Sequence, residues 1–151
     1  MPTRDRRVIL STVWIFVLFN YIYADILNLT FNPSLQPDWS QRLASGHVGS
    51  IQVTQGFVLG AAIVLEMPIA MVLLSRVLRY RANRWANVVI GAFQALVIAY
   101  TLTGSAVNWS YIMFGVIEVG ALLFIVWYAW TWRPAAAAAS PAATTSQTTA
   151  R

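Results

Sequence analysis

The sequence predicts an all-α integral membrane protein, a four-helix bundle with both termini in the cytoplasm. Three observations carry that prediction. Of the 151 residues, 58% are hydrophobic and only 10% charged, far from the balance of a soluble domain. Four apolar runs, at about 8–30, 51–78, 85–103 and 109–132, each supply the roughly 20 helical residues that a hydrocarbon core of about 30 Å requires. Finally, Arg4, Arg6, Arg7, Arg76, Arg79, Arg81, Arg84 and Arg133 flank one side of these runs, against Arg42 alone on the other. Short cytoplasmic loops collect basic residues in this way.

The first run follows Met1-Pro2-Thr3-Arg4-Asp5-Arg6-Arg7 and extends from Val8 to about Leu29. A secretory signal has a shorter apolar core, of roughly 7–15 residues, and a small-residue cleavage site. Neither occurs, so the run reads as a membrane helix with a cytoplasmic start. Residues 31–50 form the outer connection, punctuated by Pro33, Pro37, Gly46 and Gly49. Within it, 38–43 suits a short interfacial helix, with Pro37 at a first-turn position and Gly46 as its stop.

The second run is the one around which the others are arranged. It places Glu66 directly before Met67-Pro68 in the middle of an apolar stretch and ends in four arginines. Pro68 removes a backbone donor and predicts a kink. The third run ends at the charge-free turn Gly104-Ser105, and the fourth closes at Arg133-Pro134. Trp85, Trp127, Tyr128, Trp130 and Trp132 suit an inner aromatic belt, and Trp109 and Tyr111 an outer one. Residues 1–133 therefore make one four-span domain. The Ala/Thr/Pro-rich 134–151 reads as a disordered tail.

Composition excludes several functions. Without cysteine there is no disulfide, thiolate metal site or cysteine nucleophile, and a single histidine, His47, rules out a multi-histidine centre. No metal, cofactor or catalytic residue is expected. The net charge of +5 belongs to arginines that border membrane runs, so nucleic acid is not an expected partner. His47 reads as a solvated loop residue.

The polar residues inside the runs are the informative ones. Residues three and four apart share a helix face. One seam joins Trp14, Leu18, Tyr21, Asp25 and Asn28; the second joins Gln52, Gln55, Leu59, Ala62 and Glu66. The third is Asn87, Gly91, Gln94, Ile98 and Thr101, and the fourth Tyr111, Phe114, Glu118, Ala121, Ile125 and Tyr128. Each helix thus has one face with its costly groups, and the expectation is that all four faces meet inside the bundle, with a drier cytoplasmic half. The small-residue rows Gly56-x-x-x-Gly60 and Gly91-x-x-x-Ala95-x-x-x-Ala99 read as sites of close intramolecular packing.

No span carries an internal Lys or Arg, so Asp25, Glu66 and Glu118 lack a basic partner. Lone carboxylates are expensive at membrane depth and default to a functional reading. Either they are protonated and bridge helices, or a cation completes the site. The expected site is an outward-facing acidic pocket built from Asp25, Glu66, Glu118, Gln55, Gln94, Tyr21 and Tyr111. It would bind or pass a proton, a cation or a small cationic or polar solute. Two other classes stay open. One is a membrane enzyme using Glu66 or Glu118 in proton transfer to a lipid-soluble substrate. The other is an accessory subunit whose acids are fully bonded internally. Besides lipid, the expected partners are such a solute and either further copies of the chain or another membrane protein.

Three stretches, 10–27, 51–87 and 116–130 (LSTVWIFVLFNYIYADIL, IQVTQGFVLGAAIVLEMPIAMVLLSRVLRYRANRWAN and VIEVGALLFIVWYAW), also carry a resemblance. They resemble a family of small bacterial four-helix membrane proteins catalogued only as a domain of unknown function. The likeness covers roughly residues 8–132 and implies a multi-pass protein of the bacterial inner membrane. More loosely, the architecture is similar to the DoxX-like membrane proteins, an analogy of fold that implies no function.

Overall fold

The computed structural model describes residues 3–31, 46–48, 51–103 and 108–132. The expected interfacial helix at 38–43, the Gly104-Ser105 turn and the 134–151 tail lie outside the described residues. Four helices make up the bundle: α1 (Thr3–Phe31), α2 (Gln55–Val77), α3 (Tyr80–Thr101) and α4 (Trp109–Trp130). Between the first two runs a two-residue antiparallel ladder, β1 (His47–Val48) against β2 (Ile51–Gln52). Gly46, at φ 68°, turns the chain into it.

Local chemistry explains the helix limits. Thr54 accepts from Phe57 N–H at 3.1 Å, so α2 begins at Gln55, and the Ile51 start expected from hydropathy gives way to β2. Asn108 likewise caps α4 by accepting from Tyr111 N–H at 2.8 Å. Both are favoured N-cap residues because their side-chain oxygens satisfy an otherwise free helix donor. The arginine-rich turn is tighter than hydropathy suggests. Leu78 and Arg79 alone take extended backbone, and α3 resumes at Tyr80 rather than Trp85.

α1, α2 and α4 are long and apolar enough to cross a membrane. α3 carries Arg81, Asn83, Arg84, Asn87 and Gln94, which lower its average. Asn83, Asn87 and Gln94 are nevertheless buried, so their polarity is turned inward. The helices form a ring in which α1 packs on α2 and α4, and α3 on α4; the α2–α3 seam is the sparsest of the four. Close approach of α3 and α4 depends on Gly91, where a Cβ would lie 3.1 Å from Val126 Cγ2 and 3.5 Å from Ile125 Cγ2. The Gly91 row therefore packs within the chain, as expected. Gly60 does not: nothing lies within 4 Å of where its Cβ would be.

One end of the ring gathers the arginines. There Arg6 donates to Tyr128 O and lies 4.7 Å over the Tyr128 ring, Arg84 lies 5.3 Å over Trp130, and Arg7 donates to Arg76 O. Trp85, Trp127 and Trp130 are exposed on this end, in keeping with an aromatic belt. Trp132 is not part of it. At 2% exposure it is buried edge-on against Tyr80, whose hydroxyl donates to Trp132 O.

The arginine half of the interior, expected to be closed by aromatic and aliphatic side chains, holds a buried polar cluster. Asn87 Oδ1 accepts from Trp14 Nε1 at 2.8 Å and from Ser75 Oγ at 3.3 Å. Asn87 Nδ2 donates to Asn83 O and Asn83 Oδ1, and Asn83 Nδ2 donates to Ser75 O. Beside this cluster, Ser11 donates to Val72 O and accepts from Arg76 Nε. Every hydrogen-bonding position of the Asn87 amide is used, so the cluster ties α1, α2 and α3 together without an orphan group.

Candidate functional site

At the opposite end, the loop end, the helices form a cavity of about 120 Å³ that is open at the surface of the bundle. α1 contributes Tyr21 and Asp25, α3 Gln94, Val97 and Thr101, and α4 Tyr111 and Glu118, with Val64 and Leu65 of α2 as an apolar wall. Five of the seven expected site residues thus share one cavity: Tyr21, Asp25, Gln94, Tyr111 and Glu118.

Their environments differ. Glu118 is 5% exposed, and its Oε1 is buried without a hydrogen-bond partner among the described residues. Tyr21 Oη is buried and unpartnered in the same way. Buried polar atoms in folded proteins nearly always find a partner, and each exception calls for an explanation. Asp25 is exposed and lines the same cavity. Tyr111 Oη reaches Thr101 Oγ1 at 3.5 Å, and Thr101 donates to Ile98 O. Among the described residues, no basic side chain lines the cavity.

Gln94 has a second task. Its Nε2 donates to Val64 O at 2.6 Å. Val64 is four residues before Pro68, and a proline has no N–H to give to the carbonyl at i−4. Gln94 supplies the donor that Pro68 cannot, so one of its two polar ends serves the backbone and lies at the cavity wall.

Gln55 and Glu66 are not brought into this site. The seam Gln52, Gln55, Leu59, Ala62 and Glu66 is exposed throughout, and the expectation that it faces the interior is overturned. The residues of α2 that are buried are Pro68, Met71 and Ser75. At 100° per residue, Glu66 lies about 200° from Pro68, almost opposite the bundle. Ser75 bonds to Asn87 and Val72 O to Ser11, and these contacts fix the rotation of α2 in a way its own apolar sequence cannot. The seams of α3 and α4 face inward as expected, with Asn87, Gly91, Gln94, Ile98, Glu118 and Ile125 all buried.

Sequence reasoning missed Ser11, Ser75 and Asn83 as buried groups; Thr101 lay on the expected α3 seam but was not among the expected site residues, and it lines the cavity. Asn83 and Asn87 stand four apart on one helix face, a visible signal that the Asn83 position was interior. Ser11 and Ser75 gave none, because a lone serine is tolerated on any face.

A family model described as "Family of unknown function (DUF6326)" matches residues 2–139. No curated protein and no solved structure matches the chain.

Proposed function

Because the chain belongs to that family, which brings no activity with it, we propose a function from the geometry alone: a bacterial inner-membrane protein whose loop-end cavity takes up a small cationic or hydrogen-bonding solute from outside. All four helices cross the bilayer in this reading, with both termini and the arginine end in the cytoplasm. The clustering of Arg6, Arg7, Arg76, Arg79, Arg81 and Arg84 at one end supports that orientation. The inward-turned asparagines and glutamine of α3 support its crossing despite its lower average hydropathy.

One observation carries the functional reading: Glu118 Oε1 and Tyr21 Oη are both buried and unpartnered among the described residues, on two side chains that line the same cavity. A ligand that donates to Glu118 and accepts from Tyr21 would complete both atoms. Asp25 at the rim attracts a cation, Glu118 at depth holds it, and Tyr111 and Thr101 border it. Apolar walls from Ala24, Val64, Leu65, Val97 and Ile98 suit a short aliphatic portion. Size limits the solute. An apolar cavity of about 150 Å³ holds a benzene, so 120 Å³ admits a small amine and not the body of a sterol or quinone. An accessory subunit would have its acids bonded internally, and the free Glu118 oxygen favours ligand binding over that role.

A thermal-stability scan of the purified full chain against alkali cations, short alkylammonium ions and small alcohols tests this reading. A ligand specific to the folded state at 100 times its Kd adds about 2.7 kcal/mol to apparent stability. Glu118→Gln keeps the shape but loses the charge, and should weaken binding about tenfold, the difference between a charged and a neutral hydrogen bond. Glu66→Gln, on the far side of α2, should leave binding unchanged. If no compound in the panel stabilises the protein, or Glu118→Gln responds like the wild type, the cavity is not a binding site.

A further inference from the structure

The outward face of α2 is a second place where polar groups meet hydrocarbon. From Thr54 to Ile63 every residue is exposed, and Leu65 and Glu66 are exposed as well. Gln55, Leu59, Ala62, Glu66, Ile69 and Leu73 fall at steps of four, three, four, three and four along it. That spacing is the 3.5-residue repeat by which two helices pack with a left-handed crossing. All six are exposed, Leu59 at 62% and Leu73 at 69%.

We propose that this face is covered by the same face of a second copy of the chain, with Glu66 of one protomer paired to Glu66 of the other. Lipid alone is a poor occupant. It offers no hydrogen-bond partner to a carboxyl or an amide at this depth, and an intramembrane acid of this kind ordinarily turns to protein or water. The identity of the occupant follows from the two polar groups on the stripe. Two carboxyls that share a proton, and two primary amides, each place a donor against an acceptor, so each group can pair with its own copy. A twofold axis along the membrane normal brings equal depths together, so Glu66 meets Glu66 and Gln55 meets Gln55. Ala62 lies between them and keeps the crossing close. A single polar residue among apolar ones on such a seam fixes register at some cost in stability.

The chain has no cysteine, so single substitutions report proximity cleanly. Leu59→Cys, Ala62→Cys and Ile69→Cys sit on the stripe; Val58→Cys and Leu65→Cys sit beside it, and Leu96→Cys and Leu123→Cys are exposed on α3 and α4. In dilute proteoliposomes treated with copper phenanthroline, the three stripe variants should give disulfide dimers and the other four should not. Equal cross-linking at all positions, none at any, or cross-linking confined to α3 or α4 overturns the proposal. Glu66→Leu, introduced with Ala62→Cys, should lower dimer affinity roughly 3- to 20-fold, the range of interhelical polar contacts in membranes. Glu66→Gln, which keeps donor and acceptor, should restore it. Because Glu66 points away from the bundle, neither change disturbs the fold of the protomer; undiminished dimerisation of the Glu66→Leu protein would refute the pairing.

Discussion

Asn87→Leu is expected to destabilise the bundle by about 3 kcal/mol, several times the cost of removing one ordinary interhelical hydrogen bond. Leucine and asparagine are close in size, so little of this comes from a cavity. The loss comes from the groups left behind. Trp14 Nε1 has no other acceptor among the described residues, and Asn83 Oδ1 loses its donor, in a part of the interior where Trp14, Asn83 and Asn87 are completely buried. Each buried polar atom left unpaired costs about 1–3 kcal/mol. Ser75 Oγ contributes less, because a hydroxyl rotates to a new acceptor. Trp14→Phe provides the internal scale. It removes the indole donor and leaves Asn87 with its bond from Ser75, so it should cost about 1 kcal/mol beyond the lost packing. Unfolding in micelles titrated with denaturing detergent measures both. An Asn87→Leu loss no greater than that of Trp14→Phe would mean that water already reaches the cluster.

That cluster also shows why some of the architecture was readable from sequence and some was not. The faces of α3 and α4 were legible because polar and small residues recur on them at helical spacing within otherwise apolar helices: Asn87, Gly91 and Gln94 on one, Tyr111 and Glu118 on the other. Five of the cavity's six polar residues, Tyr21, Asp25, Gln94, Tyr111 and Glu118, follow from those faces and from the Tyr21–Asp25 step on α1. α2 was different. It is apolar on every side, so the usual contrast between wet and dry faces is missing, and in a membrane both faces are dry. With only Gln55 and Glu66 to go by, the reasonable inference was to turn them inward. The rotation of α2 is decided instead by Ser75 and by the carbonyls of Val64 and Val72, backbone atoms that no residue pattern displays.

The two halves of α2 consequently serve different ends. From Pro68 to Val77 the helix is held by α1 and α3 through the buried serines and asparagines. From Gln55 to Ile63 it has no buried residue and presents the acid-bearing stripe outward. Val64 and Leu65 lie at the junction, and they are the residues that α2 gives to the cavity. The Gln94–Val64 bond spans the sparsest seam of the ring at that same junction, so it is positioned to set the width of the site.

Gln94→Leu is accordingly expected to cost about 2 kcal/mol, and the cost should depend on Pro68. In the native chain the substitution strands Val64 O, whose i+4 residue has no N–H, and an unsatisfied carbonyl in a membrane interior is worth several kcal/mol at most and less where cavity water helps. Pro68→Ala restores a helical donor to that carbonyl. In the Pro68→Ala background, Gln94→Leu should therefore be nearly free, and the double-mutant cycle should return a coupling of about 2 kcal/mol between residues 26 apart in sequence. A coupling near zero would show that Gln94 and Pro68 act independently and that the carbonyl is satisfied by other means. The same variants separate support from recognition at the site. If Gln94 acts only by holding Val64, then Gln94→Leu should weaken the cavity's ligand in the native background and leave it intact once Pro68→Ala is present. If its amide oxygen also touches the solute, binding stays weak in both. Glu118 is unaltered in every member of the cycle, so any loss of binding is traceable to the α2–α3 seam and not to the acid itself.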